Sequence, residues 1–539
     1  MDHYWDEPTT GNTVEGEGPP DLSGECLAAV ANLNVAVVGG GLAGLMAARA
    51  LTRLGAKVTV YEARAQIGGR VLSDTTFAKG RITEVGAELV GSIHTRWCAL
   101  AKEYGIGLIS RMDGDLYRGL QLAQRLTLDR PLKPDEIRAL DTQKSKQVLK
   151  PMAELARNTI RDPSRPWDQP SLRQFDMMTV GDALVQRFGV TKGSRLWKSM
   201  EFQLANDNVA RLDQMNFLSL LCLVRGGQSG TIAADGLMGY WDELEIYRCA
   251  DGCQRLALAI AAEVNARKGS RVIRNYGVRR IDLRSAGGVL ITARSTKNTS
   301  FDKWLREKIP ANPVTDTRRY HYVIFTPPPS VWSDIEILPA HPKDTIGLMG
   351  MGPAVKFFSN VRDRFWIWEG LAPLGGSLDI GQVWEGTDNQ TRVKGQDIVL
   401  SVFAGARTPT EKDFKRELDR LYPAVSGGRR SGYLSNVQKT VLADWSRQPF
   451  IRTGYSSPRV GQIFTIGKEL NQPYPGRLFF AGEHTQLDHF GYMEGAIRSG
   501  QRAANLLVAT VCERFRKRTE PPLVAGTGTR SRRALASAS

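Results

Sequence analysis

Val35-Ala36-Val37-Val38-Gly39-Gly40-Gly41-Leu42-Ala43-Gly44 is the stretch that decides how this chain folds. Four apolar residues in a row, three of them β-branched, suit a strand buried on both faces. Glycines follow at once and stand at 39, 41 and 44, in the G-x-G-x-x-G pattern. Residues 45–54 then carry helical spacing and stop at Gly55. Lys57-Val58-Thr59-Val60-Tyr61 reads as a second strand and ends at Glu62, 21 positions after Gly41. A ribose-binding carboxylate belongs at about that distance in a dinucleotide site. The glycines permit a tight turn and close approach of the backbone to a pyrophosphate, and the helix start offers free N–H groups with a partial positive charge. An acid at position 62, rather than a basic residue, selects a free ribose 2′-hydroxyl.

Outward from this unit, residues 132–221 carry helical signals, opened by Pro134-Asp135-Glu136 and broken at Arg161-Asp162-Pro163-Ser164. Strand-like segments return at 270–283, 289–294 and 320–326, the last closed by Pro327-Pro328-Pro329, which cannot continue a sheet. The polar stretch 295–319 reads as a long surface loop or small insertion. Gly476-Arg477-Leu478-Phe479-Phe480-Ala481-Gly482 is a late strand ending in a glycine turn, and 497–508 makes a terminal helix.

The 539 residues are 42% hydrophobic and 24% charged, which excludes a disordered, collagenous or coiled-coil chain. At roughly 100–200 residues per domain, the length predicts three or four domains or two large ones. Lys and Arg outnumber Asp and Glu by 72 to 56, a net charge of +16 that attracts anions without choosing among them. Residues 1–30 hold seven acids and no Lys or Arg, so no secretory n-region is present. The apolar run 217–224 is far short of the roughly 20 residues that span a membrane. These features predict a cytoplasmic location. Residues 513–539 hold seven basic and two acidic residues, with Phe515 as the sole aromatic, and read as a flexible basic tail rather than a nucleic-acid arm. Of six cysteines only Cys249 and Cys253 are close in sequence, and no histidine lies near them. Neither a zinc site nor a disulfide framework is expected.

Glu62-Ala63-Arg64 followed by Gly68-Gly69-Arg70 completes a longer signature. Thr83-Glu84-Val85-Gly86-Ala87-Glu88-Leu89-Val90-Gly91 forms a second block. Phe480-Ala481-Gly482-Glu483-His484-Thr485 with Gly491-Tyr492-Met493-Glu494-Gly495-Ala496 forms a C-terminal one. With these blocks the sequence resembles the flavin amine oxidases, the family of monoamine, polyamine and L-amino acid oxidases, through 34–108, 248–283, 350–368 and 441–508. The resemblance implies an α/β fold, with a Rossmann-like FAD-binding domain of the flavin amine oxidase type and an interleaved α+β substrate domain. It places the FAD-binding domain at 31–111, 248–326 and 446–512 and the substrate domain at 112–247 and 327–445, between a flexible extension at 1–30 and the basic tail at 513–539.

By motif match, Gly39, Gly41 and Gly44 form the dinucleotide turn, Glu62 holds the adenosine ribose, and Arg64, Gly69 and Arg70 face the pyrophosphate. Val278 contacts adenine through its backbone, while Trp445, Gly482, Glu483 and Met493 belong to the flavin end. Tyr455 and Tyr492 resemble the two walls of an aromatic cage that holds an amine on the line to flavin N5. Lys356, alone in the apolar run Ala354-Val355-Lys356-Phe357-Phe358, resembles the family lysine that holds a water near N5 and helps the reduced flavin react with oxygen. Gly454 stands where covalently flavinylated relatives carry cysteine, so the FAD is expected to be non-covalent. No metal is called for.

The implied reaction is hydride transfer from the α-carbon of a neutral amine, hydrolysis of the imine, and reduction of molecular oxygen to hydrogen peroxide. L-amino acid oxidases of the venom type carry an Arg where this chain has Leu89, after Glu88. Glu88 reads either as a structural acid or as a group attracting a second positive charge on the substrate. Glu245-Ile246-Tyr247-Arg248-Cys249 with Gln254-Arg255-Leu256-Ala257 is similar to bacterial L-amino acid oxidases. Following the longer clue, the expected activity is oxidative deamination of an L-amino acid to the 2-oxo acid with release of ammonia. Oxidation of primary amines or polyamines is the alternative, and a flavin-binding scaffold without activity is a third. Expected partners are the small-molecule substrate and oxygen, with no nucleic acid and no membrane; homo-oligomerisation is left open.

Overall fold

The computed structural model describes residues 23–110, 117, 120–228, 236–297, 317–339, 349–388, 390, 397–424 and 432–519. Its organising element is a five-stranded parallel sheet with strands in the order Leu478–Phe480, Tyr322–Phe325, Asn34–Val38, Lys57–Tyr61 and Arg271–Ile273. Asn34–Val38 is central, pairing Val38 with Tyr61 on one side and with Phe325 on the other. Its apolar run is buried because helices cover one face of the sheet and a second core the other.

Helix Leu42–Arg53 returns along the sheet, with helices Gln254–Ala266 and Met493–Thr519 packed beside it. A four-stranded sheet, in the order Thr317–Tyr320, Val289–Ser295, Tyr276–Asp282 and Glu336–Leu338, flanks this layer. A six-stranded sheet stands apart from it, in the order Val437–Asp444, Ala354–Val361, Ile398–Gly405, Gly381–Glu385, Leu371–Ser377 and Ala123–Thr127. The expected helical stretch forms its own core, built around helix Phe217–Gly226, which is buried at every position but Arg225. Pro134 opens helix Pro134–Lys144 where its missing N–H costs nothing. Pro151 lies just beyond a π-helical turn at Ser145–Leu149, which fits a residue that cannot donate to the helical ladder.

Two readings of the termini are corrected. The segment expected to be a flexible extension contains helix Gly24–Ala31, capped by Ser23 Oγ accepting from Cys26 N. The last helix continues past 512 to Thr519, since Arg and Lys are good helix formers despite their charge. Cys26 and Cys512, 486 positions apart with Cα atoms 5.3 Å from each other, form a disulfide that joins these two helices. Residues 1–22, most of the 295–319 insertion and the basic tail from 520 lie outside the described residues. No described helix is long and apolar enough to cross a membrane.

Titration of the denatured chain with a thiol reagent should therefore count four thiols before reduction and six after, matching the free Cys98, Cys222, Cys249 and Cys253. Cys26→Ser should lower stability by about 2–4 kcal/mol, the usual worth of a native cross-link. Six thiols without reductant would remove the staple.

Candidate active site

One cavity of about 300 Å³ runs from the glycine turn to the six-stranded sheet. At its first end, strand Asn34–Val38 stops and the chain turns at Gly39, with φ +107°. A Cβ on Gly39 would meet Thr326 Oγ1 at 2.4 Å, and one on Gly44 would meet Gly39 O at 2.1 Å. Gly44 is thus a packing residue between helix and strand and does not line the cavity, whereas Gly39 and Gly41 do. Helix Leu42–Arg53 begins there without a side-chain cap, so its first N–H groups and its dipole are available to an anion.

Glu62 closes the neighbouring strand with Oε2 accepting from Gly40 N (2.7 Å) and Oε1 from Arg64 N (2.7 Å). Burial raises its carboxyl above the usual range, although both N–H groups favour the anion. Each oxygen keeps a second lone pair for a hydroxyl donor. Val278 lines the same region from strand Tyr276–Asp282.

Two arginines follow along the wall. Arg64 donates to Gly69 O (3.0 Å), and its guanidinium lies 5.9 Å from the Trp445 ring centre. Trp445 is itself anchored through Nε1 to Val85 O (3.0 Å). Arg70 donates to Gly454 O (2.9 Å) and Glu483 Oε1 (2.7 Å). Burial opposes ionisation of Glu483, but Arg70, His484 and the Ser456 hydroxyl hold its carboxyl below the usual range. Glu483 also accepts from Gly491 N (2.6 Å), which binds the Gly482 turn to the chain that delivers Tyr492 and Met493. His484 does not line the cavity; it packs edge-on to Trp332 and burial pushes its imidazole down to about 4.

At the far end the two predicted tyrosines come together. A Cβ on Gly491 would meet Tyr455 Cδ2 at 2.9 Å, so Tyr455 packs directly on the residue preceding Tyr492. Tyr455 stacks on Phe403 (centroids 6.4 Å apart, 12° between planes) and its hydroxyl donates to Asp207 O (2.8 Å). Tyr492 packs on His94 at 5.4 Å. Lys356 is in no edge strand. Its strand is paired on both sides, Lys356 opposite Phe403 and Ala443, and Phe403 lies opposite Gln382 in turn. Its ammonium donates to Glu84 O (2.8 Å), Gly86 O (3.1 Å) and Glu88 Oε2 (2.8 Å). All three N–H bonds are thereby spent on protein oxygens. The water-holding role implied by the resemblance has no donor left in this arrangement, although the charge remains.

Glu88 is engaged by protein cations and an indole. Beyond Lys356 on Oε2 it accepts from Arg248 Nε (2.9 Å) and Trp384 Nε1 (2.9 Å) on Oε1. Sequence reasoning missed Asp207, Glu245, Gln382, Trp384 and Phe403, which complete the far wall. The alternation of Gln382 and Trp384 along strand Gly381–Glu385 was a readable signal. Asp207 and Glu245 lie in separate non-strand segments and left none.

The family model for the flavin containing amine oxidoreductases matches residues 42–508. The chain belongs to this family. Among its relatives are the flavin-containing amine oxidase of Danio rerio, 24% identical over 87% of this chain and 85% of that one, and amine oxidase A of Bos taurus, 26% identical over 87% and 84%. The fold is that of a putrescine oxidase solved with putrescine bound (TM-score 0.68, 19% identity, 88% of this chain and 99% of that one). It is also that of cyclohexylamine oxidase from Brevibacterium oxydans (TM-score 0.67, 21% identity, 90% and 99%). The family's cofactor is FAD, and the turn, the helix start, Glu62 and the two arginines offer the donors and acceptors that a dinucleotide requires.

The described lining contains no cysteine and no histidine, and a Cβ on Gly454 would meet Ala354 Cβ at 2.5 Å. A lining of this kind fits an FAD held without a covalent bond. On acid precipitation the yellow colour should pass to the supernatant; a coloured pellet would contradict this.

Proposed function

We propose that the chain is an FAD-dependent oxidase of amines that carry a second positive charge, in preference to L-amino acids. The observation that carries this reading is the carboxylate pair Asp207 and Glu245 on the cavity wall beside Tyr455 and Tyr492. Gln382 Nε2 donates to Asp207 Oδ1 (3.1 Å) and orients it. Burial and the nearby Glu245 raise the Asp207 carboxyl well above the usual range, with Lys144 opposing. Two acids in one low-dielectric pocket resist joint ionisation, and an incoming cation relieves that cost. An α-carboxylate there would meet like charge. The described basic lining residues Arg64, Arg70 and Lys356 are already bonded to protein oxygens.

In this reading Glu62 holds the ribose, Arg64, Gly69 and Arg70 the pyrophosphate, and Val278 the adenine. Met493 brings the start of helix Met493–Thr519 to the flavin end, beside Trp445, Gly482 and Glu483, where the helix dipole favours negative charge. Bound FAD supplies the two-electron acceptor. The tyrosines orient the amine nitrogen and keep out water, and the acid pair holds the distant cation, so the reacting carbon is fixed at both ends. Lys356 contributes a fixed positive charge at the wall.

A substrate panel under anaerobic conditions should show diamines bleaching the flavin faster than L-amino acids or monoamines of equal length. Asp207→Asn should raise KM for a diamine by roughly 10- to 100-fold, the worth of a charge-assisted hydrogen bond of about 1.5–3 kcal/mol, and should change a monoamine less. The raised carboxyl gives the pH sign: its proton must leave before the cation is held. KM for a diamine should fall as pH rises through the Asp207 titration, and this slope should disappear in Asp207→Asn. Faster bleaching by L-amino acids than by the matching decarboxylated amines would overturn the reading.

A further inference from the structure

Lys356, Glu88, Arg248 and Asp388 form an unbroken buried chain of alternating charge between the cavity wall and the body of the second sheet region. Lys356 Nζ lies 2.8 Å from Glu88 Oε2, Glu88 Oε1 lies 2.9 Å from Arg248 Nε, and Arg248 also pairs with Asp388 and donates to Glu385 O (2.8 Å). All four residues are more than nine-tenths buried. Burial opposes ionisation of Glu88, yet Lys356 and Arg248 hold its carboxyl down at about 2. Trp384 donates to the same carboxylate from strand Gly381–Glu385, and its ring lies 5.4 Å from Nζ.

The arrangement is costly for packing alone, since buried ion pairs are often matched or bettered by apolar groups. What it secures is a cation whose three N–H groups are all engaged, set on the cavity wall. We propose that Glu88 is a positioning residue that holds the Lys356 ammonium in place for the oxygen half of the reaction, the step in which the family resemblance puts this lysine. The inference rests on the reading that the flavin end of the cofactor lies beside Lys356. A fixed cation there favours negative charge developing on dioxygen as it takes up electrons, by electrostatic preorganisation. It needs no bridging water, which Lys356 has no free N–H to hold.

Glu88→Gln keeps the shape and removes the anion. The ammonium is then left among carbonyls beside the Arg248 guanidinium, without the carboxylate that anchors it. The other titratable group at hand is Glu84, whose carboxyl burial raises to about 7. It is turned toward Ser73 Oγ and Cys253 N, and it is common to every variant compared.

The test uses the holoprotein and reads flavin reoxidation by oxygen, and the flavin midpoint potential, from pH 6 to pH 9. Relative to the native chain, Glu88→Gln should reoxidise more slowly over this range, by up to about 100-fold, the cost of a misplaced group. Its midpoint potential should be more negative over the same range, because the released ammonium no longer faces the cofactor. Glu88→Asp, which keeps the charge, should restore the native profile, and it serves if Glu88→Gln does not fold. In Lys356→Met, adding Glu88→Gln should change neither readout further. Native reoxidation in Glu88→Gln, or additive losses in the double variant, would overturn the role of Glu88. Native reoxidation in Lys356→Met would instead sink the placement of the flavin beside Lys356, so the two failures are told apart.

Discussion

Two helices begin at the cavity, and their contact fixes everything else about it. Helix Met493–Thr519 lies across helix Leu42–Arg53 so closely that a Cβ on Gly500 would meet Ala43 O at 2.2 Å. Gly44, one residue on, is equally tight against the turn at Gly39. A methyl group at either position would lift one helix off the other or off the sheet, because packed interiors cannot absorb such a volume without displacement. The two helix N-termini, with their free N–H groups and positive dipole ends, are thus locked at a set separation along one wall, and a long anionic ligand finds both ends prepared.

That constraint is local in sequence, which is why it could be read there. Strand, glycine turn, helix, strand and Glu62 occupy fewer than thirty consecutive residues, and period and turn chemistry declare each of them. Lys356 was equally conspicuous, a charge in an apolar strand. What could not be read depends on chain segments that meet only in the folded state. Asp207 and Glu245 are separated by helices Phe217–Gly226 and Gly239–Asp242, and nothing in either neighbourhood marks an acid that will face an inner wall. Cys26 and Cys512 are 486 positions apart, so spacing held no hint of their bond. The helix Gly24–Ala31 did carry a signal, a Ser23 cap before an alanine-rich run, which the reading of 1–30 as a flexible extension passed over.

The charges of the site divide into two kinds. Those that face the dinucleotide end are answered mainly by backbone: Glu62 by Gly40 and Arg64 N–H groups, Arg64 by Gly69 O, and Arg70 by Gly454 O beside the Glu483 carboxylate. Those at the tyrosine end add a relay of side chains to their backbone partners, Lys356 to Glu88, Glu88 to Arg248, Arg248 to Asp388. Backbone partners move only if the fold moves, so the first end is as rigid as the sheet. Side-chain partners can be exchanged one at a time, and the tyrosine end is where a fold of this kind can be retuned without being rebuilt. The net charge of +16 has no part in this, since the groups that matter are buried from solvent and from its ions.

The cross-link between residues 26 and 512 also has a mechanical meaning. Tension applied to the two ends of the chain would pass directly from the first helix to the last through the covalent bond and would not be transmitted through the sheets. The body between those cysteines behaves as a closed ring. A pulling experiment on the oxidised protein should therefore leave the ring, with its bound flavin and fluorescence, undisturbed until a reductant opens it.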